Sequence, residues 1–239
     1  MPDEHPMSAG RAAPMRVAHR GAPTRAIENT LRSIRIAEDA GADAIELDVR
    51  ATRDGVPVLL HDRTLERFFG DARPVDAVDL AGVRMLDARS PDGVVERIPT
   101  FEEVLDATRT TLVVDVKTAS MLAAIDAMIT ARDAYARIVF NGEPAMAEAT
   151  RRAIPQARIL MSWAKPELPP DELLARVRPF AVNLKWTDAN AAAVPAYAAK
   201  GIAVWCWTVD DPDNARRARD AGVAAIISND LDAIAPGLA

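Results

Sequence analysis

The sequence has little cysteine, few aromatic residues and no long apolar run. Its 239 residues include one cysteine, Cys206, which excludes an internal disulfide, so nothing in the sequence requires an oxidising compartment. No segment approaches the roughly 18 consecutive apolar residues of a membrane-spanning helix, and residues 1–14 lack the apolar segment of a secretory signal. We therefore expect a cytoplasmic protein with a disordered tail over 1–14 and no stable membrane insertion.

Positive charge is also scarce. The chain has 29 Lys and Arg residues against 35 Asp and Glu residues, a formal net charge of −6, without a dense basic cluster. A groove that follows a phosphate backbone needs such a cluster, so nucleic acid is not an expected partner. A hydrophobic content of 49% is sufficient for one large core, which predicts a single domain over 15–239. The oligomeric state stays open.

Short β-branched segments alternate with Ala-rich amphipathic segments almost to the C-terminus, a pattern typical of βα units and a parallel sheet. Strands are predicted over 16–20, 44–49, 57–60, 111–116, 137–140, 158–161, 181–184, 203–207 and 224–228. Helices are predicted over 29–40, 101–108, 121–131, 145–153, 171–176, 189–199 and 213–221. The fold class is therefore α/β, with one strand more than a (β/α)8 barrel holds.

The surplus strand has a local explanation. Asp54-Gly55 lies between the second and third predicted strands, where it is a strong hairpin signal and leaves no room for a crossover helix. The strand over 57–60 should therefore run antiparallel to its predecessor and return His61 to the barrel mouth. The region 64–97 then loses clear periodicity, apart from a possible short helix over 79–86, and is interpreted as an insertion over the mouth.

Two carboxylates lie on the second predicted strand. Glu46 and Asp48 share one face because side chains at i and i+2 point the same way, while Ile45, Leu47 and Val49 point the other way. Two neighbouring buried carboxylates are costly to desolvate unless a cation or an arginine neutralises them. A metal site and a structural ion pair are both open, and oxygen ligands favour Mg²⁺ or Ca²⁺ over zinc.

The same spacing recurs at the end of the strand over 111–116. Asp115 and Lys117 share a face there and should reach the same mouth. Asp115 would complete a metal shell, and Lys117 would neutralise a phosphoryl oxygen as a point charge. An ordinary ion pair on a solvated strand end is the alternative.

Two histidines close similar motifs, His19 in VAHRG and His61 in VLLHD. Imidazole has an unperturbed pKa near neutrality, so histidines on either side of a carboxylate pair indicate an acid/base site. Arg20 follows the first histidine and offers a planar fork suited to phosphate.

Two further candidates are more ambiguous. Glu28-Asn29-Thr30 precedes the first long helix, so Asn29 or Thr30 is a candidate N-cap, and the alternative is that Glu28 orients Arg20 or a substrate hydroxyl. Trp205 and Trp207 repeat the i, i+2 spacing on a late strand, as part of a substrate pocket or as plain core.

Six motifs follow one another along the chain: VAHRG, IENT, GADAIELDVRATRDGVPVLLHD, PTFEEVL, LVVDVK and WTV. Together they resemble the glycerophosphodiester phosphodiesterase family, over roughly residues 16–230 and most densely between His19 and Asp62. The resemblance implies a TIM-type (β/α)8 barrel with the hairpin arm and the insertion after the second barrel strand. It also implies hydrolysis of glycerophosphodiesters, such as glycerophosphocholine, to an alcohol and sn-glycerol 3-phosphate, with a divalent cation, Mg²⁺, Ca²⁺ or Mn²⁺.

The resemblance assigns roles to the residues above: metal ligands (Glu46, Asp48, Asp115), an acid/base pair (His19, His61) and phosphate contacts (Arg20, Lys117). Glu28 and Trp207 are added as candidate substrate contacts. The family more often has Glu at position 115. The segment Glu66-Arg67-Phe68-Phe69 also departs from the family pattern, and it bears on the choice of alcohol.

Two other functions remain open at this point. A lysophospholipase D acting on lysolipids would need an extended apolar groove, which the Phe68-Phe69 pair would supply. A non-catalytic barrel that binds phosphometabolites would be expected to have lost a ligand or a histidine, whereas Glu46, Asp48 and both histidines are present.

Overall fold

The computed structural model describes residues 13–90, 92–165 and 167–239. Residues 1–12 of the predicted tail, including His5, lie outside the described residues. None of the helices in the described part of the chain has the length and apolar character needed to cross a bilayer.

The described residues form thirteen strands and ten α-helices. The strands are β1 (Met15–His19), β2 (Ala44–Ala51), β3 (Pro57–Leu59), β4 (Thr64–Leu65), β5 (Asp71–Pro74), β6 (Ala88–Arg89), β7 (Val95–Glu96), β8 (Thr111–Val116), β9 (Ile138–Gly142), β10 (Ile159–Trp163), β11 (Ala181–Lys185), β12 (Ala203–Trp207) and β13 (Ala225–Ser228). The helices are α1 (Leu31–Asp39), α2 (Glu66–Phe69), α3 (Leu80–Val83), α4 (Phe101–Ala107), α5 (Leu122–Ala131), α6 (Pro144–Ala153), α7 (Asp171–Val177), α8 (Asp188–Ala199), α9 (Pro212–Ala221) and α10 (Leu231–Leu238).

Eight parallel strands close into a barrel. They follow the order β1, β2, β8, β9, β10, β11, β12 and β13, and β1 pairs with both β2 and β13. The predicted TIM-type α/β fold is therefore confirmed. All eight strands end at the same mouth, which is where loops and catalytic residues of such barrels lie.

The predicted hairpin arm is also confirmed. Strand β3 pairs antiparallel with β2, with Val49 opposite Leu59 and Ala51 opposite Pro57. This pairing explains why β2 continues to Ala51, two residues beyond its predicted end. The chain then leaves the arm at Leu60 and reaches His61 beside the ends of the barrel strands.

The insertion follows the second barrel strand, as predicted, but has more regular structure than its sequence indicates. It holds two short antiparallel pairs, β4 with β5 and β6 with β7, and two four-residue helices, α2 and α3. Strands of two to four residues are too short to show a period, so only the helix near 79–86 was predicted. The segment packs on an apolar cluster of its own, formed by Val58, Leu60, Leu65, Val75, Val78, Val83 and Ile98.

Most predicted helix ends lie within one residue of the observed ends, and two larger differences have local reasons. Helix α1 begins at Leu31 instead of 29, because Thr30 is the N-cap and accepts a hydrogen bond from the Ser33 backbone. Helix α10 was missed altogether, since it contains Pro236 and Gly237, both poor helix formers. Asp230 caps it by accepting from two backbone N–H groups.

The core has two layers separated by the barrel wall. Outward residues of the strands, such as Ile45 and Leu47, pack under the helices. Inward residues, such as Val17, Val113 and Trp205, fill the barrel interior. On β2 the inward column is Ala44, Glu46 and Asp48, so it changes from apolar to acidic toward the mouth. The alternation of the strand thereby places buried charge at one end of the barrel.

Candidate active site

A cavity of about 530 Å³ opens at the carboxyl ends of the barrel strands. Its wall includes every catalytic and metal-binding candidate, both phosphate contacts and Trp207: His19, Arg20, Glu46, Asp48, His61, Asp115, Lys117 and Trp207. These residues come from β1, β2, the end of the hairpin arm, β8 and β12. The barrel therefore brings together side chains that are far apart in the sequence.

Three carboxylates form a compact cluster in this cavity. Oxygen atoms of Glu46, Asp48 and Asp115 lie within 4.8 Å of one another. Asp48 and Asp115 are adjacent because the two residues are paired in the register of β2 and β8. Oxygen donors at this separation suit a hard cation such as Mg²⁺ or Ca²⁺.

Asp48 is the best neutralised of the three carboxylates. It accepts a hydrogen bond from Asn29 Nδ2 at 3.0 Å and forms ion pairs with Lys117 Nζ at 2.6 Å and Arg20 Nε at 3.2 Å. Asn29 also accepts from the Asp48 backbone N–H at 3.0 Å. Burial alone would raise the pKa of Asp48, but Lys117 and Arg20 outweigh it and hold that pKa below its usual value. Asp48 is therefore ionised in the folded protein.

Glu46 has no such partner among the residues that the structure describes. Its residue is 4% exposed, it accepts from the Arg20 backbone N–H at 3.3 Å, and His19 Nε2 lies 3.8 Å from its Oε2. Burial, and then the charges of Asp48 and Asp115, raise its pKa well above 4.5. A bound cation would remove this penalty, so the donor set fits a divalent metal.

Asp115 and Lys117 form an ion pair, which was one of the two alternatives predicted from the sequence. This pair lies inside the cavity. Lys117 Nζ lies 2.8 Å from Asp115 Oδ2, and the lysine side chain is 18% exposed. Burial raises the pKa of Asp115, and Lys117 only partly opposes this. Burial lowers the pKa of Lys117, but the negative charges of Asp48 and Asp115 raise it by a larger amount. The pKa is therefore above its usual value, and the lysine is charged.

His19 is held by a chain of two residues from the last barrel loops. Its Nδ1 lies 2.7 Å from Asn229 Oδ1, and Asn229 Nδ2 donates to Asp210 at 2.7 Å. Because Asp210 accepts from the amide nitrogen, the carbonyl oxygen faces the ring and the ring proton lies on Nδ1. Burial, and then Arg20, lower the pKa of His19, which leaves Nε2 unprotonated at neutral pH.

His61 is anchored differently. Arg50 donates from Nε and Nη2 to the His61 carbonyl oxygen at 2.9 and 2.7 Å, which ties the end of the arm to β2. The His61 Nδ1 atom lies 2.8 Å from Asp62 Oδ1, and Arg67 Nε donates to Asp62 Oδ2 at 2.6 Å. The insertion thus contributes to the orientation of this ring.

Glu28 contacts both arginines of the mouth. Its Oε1 accepts from Arg20 Nη1 at 3.1 Å and from Arg67 Nη2 at 2.5 Å. Thr30 is the N-cap of α1, one of the two caps predicted, and the contact of Glu28 with Arg20 is observed as well. The backbone after Arg20 turns at Gly21, with φ +87°, where a Cβ atom would lie 2.2 Å from Ser33 Oγ.

The two tryptophans of β12 lie in different environments. Trp207 is 36% exposed and lines the cavity, whereas Trp205 is fully buried in the barrel interior against Phe180. Phe69 packs on the cluster of the insertion, and Phe68 lies under Arg67, 4.3 Å from the guanidinium carbon to the ring centre. In the described structure neither phenylalanine is among the residues that line the cavity.

Several polar residues of the site were not singled out from the sequence. Asn229 carries no local signal, because His19 lies 210 positions away. Arg67 was noted only as part of the segment that departs from the family pattern, because its partner Glu28 lies 39 positions away. Asn141, Ser162 and Asn183 line the cavity on β9, β10 and β11. Each is a polar residue near the end of an apolar strand, which is the signal that revealed Asp115.

Fold and site define a (β/α)8-barrel protein with a histidine-flanked carboxylate cluster at the carboxyl mouth of the barrel. The chain belongs to the glycerophosphoryl diester phosphodiesterase family, whose model matches residues 19–233.

Two relatives match nearly the whole chain. The glycerophosphodiester phosphodiesterase of Caldanaerobacter subterraneus is 27% identical over 230 residues, which are 91% of this chain and 95% of the relative. The probable glycerophosphodiester phosphodiesterase 1 of Mycobacterium tuberculosis is 30% identical, over 89% of this chain and 88% of the relative.

Solved structures agree on the fold. A putative glycerophosphoryl diester phosphodiesterase of Silicibacter pomeroyi superposes with a TM-score of 0.87 at 23% identity, covering 97% of this chain and 95% of that chain. A phosphodiesterase of Oleispira antarctica, solved in complex with the product sn-glycerol-3-phosphate, gives 0.82 at 23% identity, over 93% and 95% of the two chains.

Proposed function

We propose that this chain hydrolyses glycerophosphodiesters to an alcohol and sn-glycerol 3-phosphate, with a divalent cation, in a single catalytic domain over 15–239. One observation carries the proposal: both histidines, the three carboxylates and two cationic side chains line a single cavity. The names of the relatives and the product bound in the Oleispira protein support the same activity. We further propose that the segment 64–97 acts as an insertion over the barrel mouth.

Glu46, Asp48 and Asp115 would hold the cation, with Mg²⁺ or Ca²⁺ preferred over zinc because all three donors are carboxylate oxygens, which also suit Mn²⁺. When bound, a divalent cation neutralises charge on the phosphoryl oxygens. Asp115 has a shorter side chain than the Glu more common in the family, and Lys117 Nζ lies 2.8 Å from its Oδ2.

The histidines provide the proton transfers. His19 has its proton on Nδ1 and a free electron pair on Nε2, so its Nε2 atom is suited to accept the proton of the nucleophile as the general base. His61, at the end of the hairpin arm, then protonates the leaving alkoxide. The nucleophile is either water or the 2-hydroxyl of the glycerol, the second route giving a cyclic phosphate that is hydrolysed later.

The cationic side chains contact the phosphate. Lys117 has three N–H donors, of which Asp48 and Asp115 use two, so one is left for a phosphoryl oxygen. Arg20 is held by Asp48 and Glu28 with its remaining donors at the cavity wall. Trp207 would pack against the apolar part of the substrate.

Metal removal tests the proposal. Protein stripped with EDTA is expected to lose release of glycerol phosphate from glycerophosphocholine and glycerophosphoethanolamine, and Mg²⁺, Ca²⁺ or Mn²⁺ should restore it. The measurement is product release after each addition. Failure of every cation to restore release from any glycerophosphodiester would contradict the proposal. Faster hydrolysis of lysophosphatidylcholine than of glycerophosphocholine would instead indicate the lysophospholipase D activity.

Loss of Arg67 should affect the reaction although this residue lies outside the cavity wall. Arg67 holds both Asp62, the partner of His61, and Glu28, the partner of Arg20. Small displacements of such groups are costly, so Arg67→Ala is expected to lower kcat/KM by about 10- to 100-fold.

Arg73→Ala is the matched control, because Arg73 belongs to the same insertion and pairs with Asp71. Its kcat/KM should stay near that of the unmodified protein. Equal activities of the two variants would show that Arg67 does not position the site.

A further inference from the structure

The wall of the cavity next to the carboxylate cluster carries three uncharged polar side chains, and the carboxylate of Glu143 is exposed at the same wall. Asn141, Ser162 and Asn183 line it from three consecutive strands, β9, β10 and β11. Asn141 is next to Asp115 in the register of β8 and β9, and Asn183 is next to Ser162 in the register of β10 and β11. The three side chains therefore continue the ring of polar groups from the metal-binding side around the barrel.

Hydrogen bonds within this wall leave one acceptor unused. Asn141 Oδ1 accepts from Ser162 Oγ at 3.0 Å and, at 3.5 Å, from Asn183 Nδ2. Asn183 is 2% exposed, and its Oδ1 has no hydrogen-bond partner among the described residues. A buried amide oxygen without a donor is costly, and native proteins seldom keep one without a reason.

The chemistry of the wall indicates what it binds. Uncharged amide and hydroxyl groups add little for a phosphate or a metal beside the stronger groups of the same cavity. They match an alcohol hydroxyl, which donates one hydrogen bond and accepts others. Asn183 is 2% exposed and lies deep in the barrel, whereas Trp207 is 36% exposed at the cavity wall. Asn183 would therefore contact the part of the substrate that enters the cavity first.

We propose that Asn183, with Asn141 and Ser162, forms a subsite that binds the free hydroxyl groups of the glycerol part of the substrate. This inference rests on the proposed function for the identity of the polyol, but binding tests it without turnover. Asn183 would then select phosphate esters that carry hydroxyl groups over their deoxy analogues. A deoxy analogue leaves the buried Oδ1 atom of Asn183 without a hydrogen bond in the complex, and this weakens its binding.

The test compares the binding of sn-glycerol 3-phosphate and n-propyl phosphate, which differ only in the two hydroxyl groups, by calorimetry in the presence of Mg²⁺. The unmodified protein is expected to bind sn-glycerol 3-phosphate about 10-fold more tightly. Asn183→Leu, which keeps the approximate volume and removes the acceptor, should reduce that preference to less than about 2-fold. Its melting temperature should not fall, because the free protein loses an unpaired polar atom.

Asn190→Leu is the matched control. Asn190 is also buried, at 3% exposure, with an unpartnered Oδ1, but it lies on α8 away from the cavity and donates to the Lys185 carbonyl at 2.7 Å. This variant should lose stability and keep the full ligand preference.

Three results would overturn the proposal. One is an unmodified protein that binds both ligands equally, and another is an Asn183→Leu variant that keeps the preference. The third is an effect of Asn183→Leu only on the alcohol side, seen as altered hydrolysis of glycerophosphoglycerol relative to glycerophosphopropanol. A protein that prefers sn-glycerol 3-phosphate through Asn183 but hydrolyses no diester would retain this inference and lose the proposed function.

Discussion

His61→Ala and His19→Ala are each expected to lower kcat by about 10²–10⁴-fold, the usual contribution of a positioned acid or base. Each variant removes one proton transfer while the carboxylate cluster stays intact. The binding of sn-glycerol 3-phosphate should change much less than kcat, because neither ring is assigned to hold the phosphate. The measurement is kcat on glycerophosphocholine, with calorimetry for the product.

His5→Ala, at the remaining histidine of the sequence, is the matched control and should retain full kcat. Melting curves establish that the two site variants are folded. Folded His19→Ala and His61→Ala proteins with undiminished kcat would show that the acid/base assignment is wrong.

Glu46→Gln is expected to have opposite effects on stability with and without metal. Burial raises the pKa of Glu46 in the folded protein well above 4.5, so its ionised form opposes folding when no cation is bound. The protonated form of Glu46 is compatible with its buried position, so its contribution to the stability of the folded protein is fully present below pH 4.5. That contribution is lost as the pH rises through the raised pKa of Glu46 in the folded protein. The metal-free variant should therefore melt at a higher temperature than the unmodified protein at neutral pH, and the difference should disappear in acid.

Added cation reverses the order. At a metal concentration of about 100 times Kd, the unmodified protein should gain about 2.7 kcal/mol of stability, and Glu46→Gln should gain much less because a ligand is lost. Thermal melting against pH and Mg²⁺ concentration measures both effects. Activity should fall together with the stabilisation by metal.

Asp48→Asn provides the contrast within the cluster. The pKa of Asp48 is lowered, so its charge stabilises the fold above its ordinary pKa, and that stability is lost in acid. Removal of the charge leaves Lys117 and Arg20 with a neutral amide, and the metal-free variant should melt at a lower temperature at neutral pH. Glu172→Gln, on the exposed face of α7, should leave the metal response unchanged and lower the melting temperature only slightly, because Glu172 lies in the first turn of the helix. A fall in stability for metal-free Glu46→Gln at neutral pH would contradict this account.

Local patterns in the amino-acid order were sufficient to predict the barrel strands, the hairpin arm and the acidic face of β2. The reason is that the two-residue period of a strand and the turn preference of Asp54-Gly55 act over a few neighbouring residues. The same period predicted that Glu46 and Asp48 would share a face and that Asp115 would reach the mouth. Strand ends were displaced by a few residues where pairing extended them, as at Ala51.

Contacts between distant parts of the chain could not be predicted in this way. His19 depends on Asn229, 210 positions away, and Arg67 reaches Glu28 from the insertion, 39 positions away. Such pairs exist only because β1 closes against β13 and the insertion folds on its own apolar cluster. The fold likewise decides that Lys117 neutralises Asp48 as well as its neighbour Asp115, while Glu46 has no Lys or Arg side chain paired with it in the described part of the chain. Charge type and strand position are properties of the local sequence, whereas pairing, burial and the resulting pKa shifts arise when the closed barrel brings the side chains together.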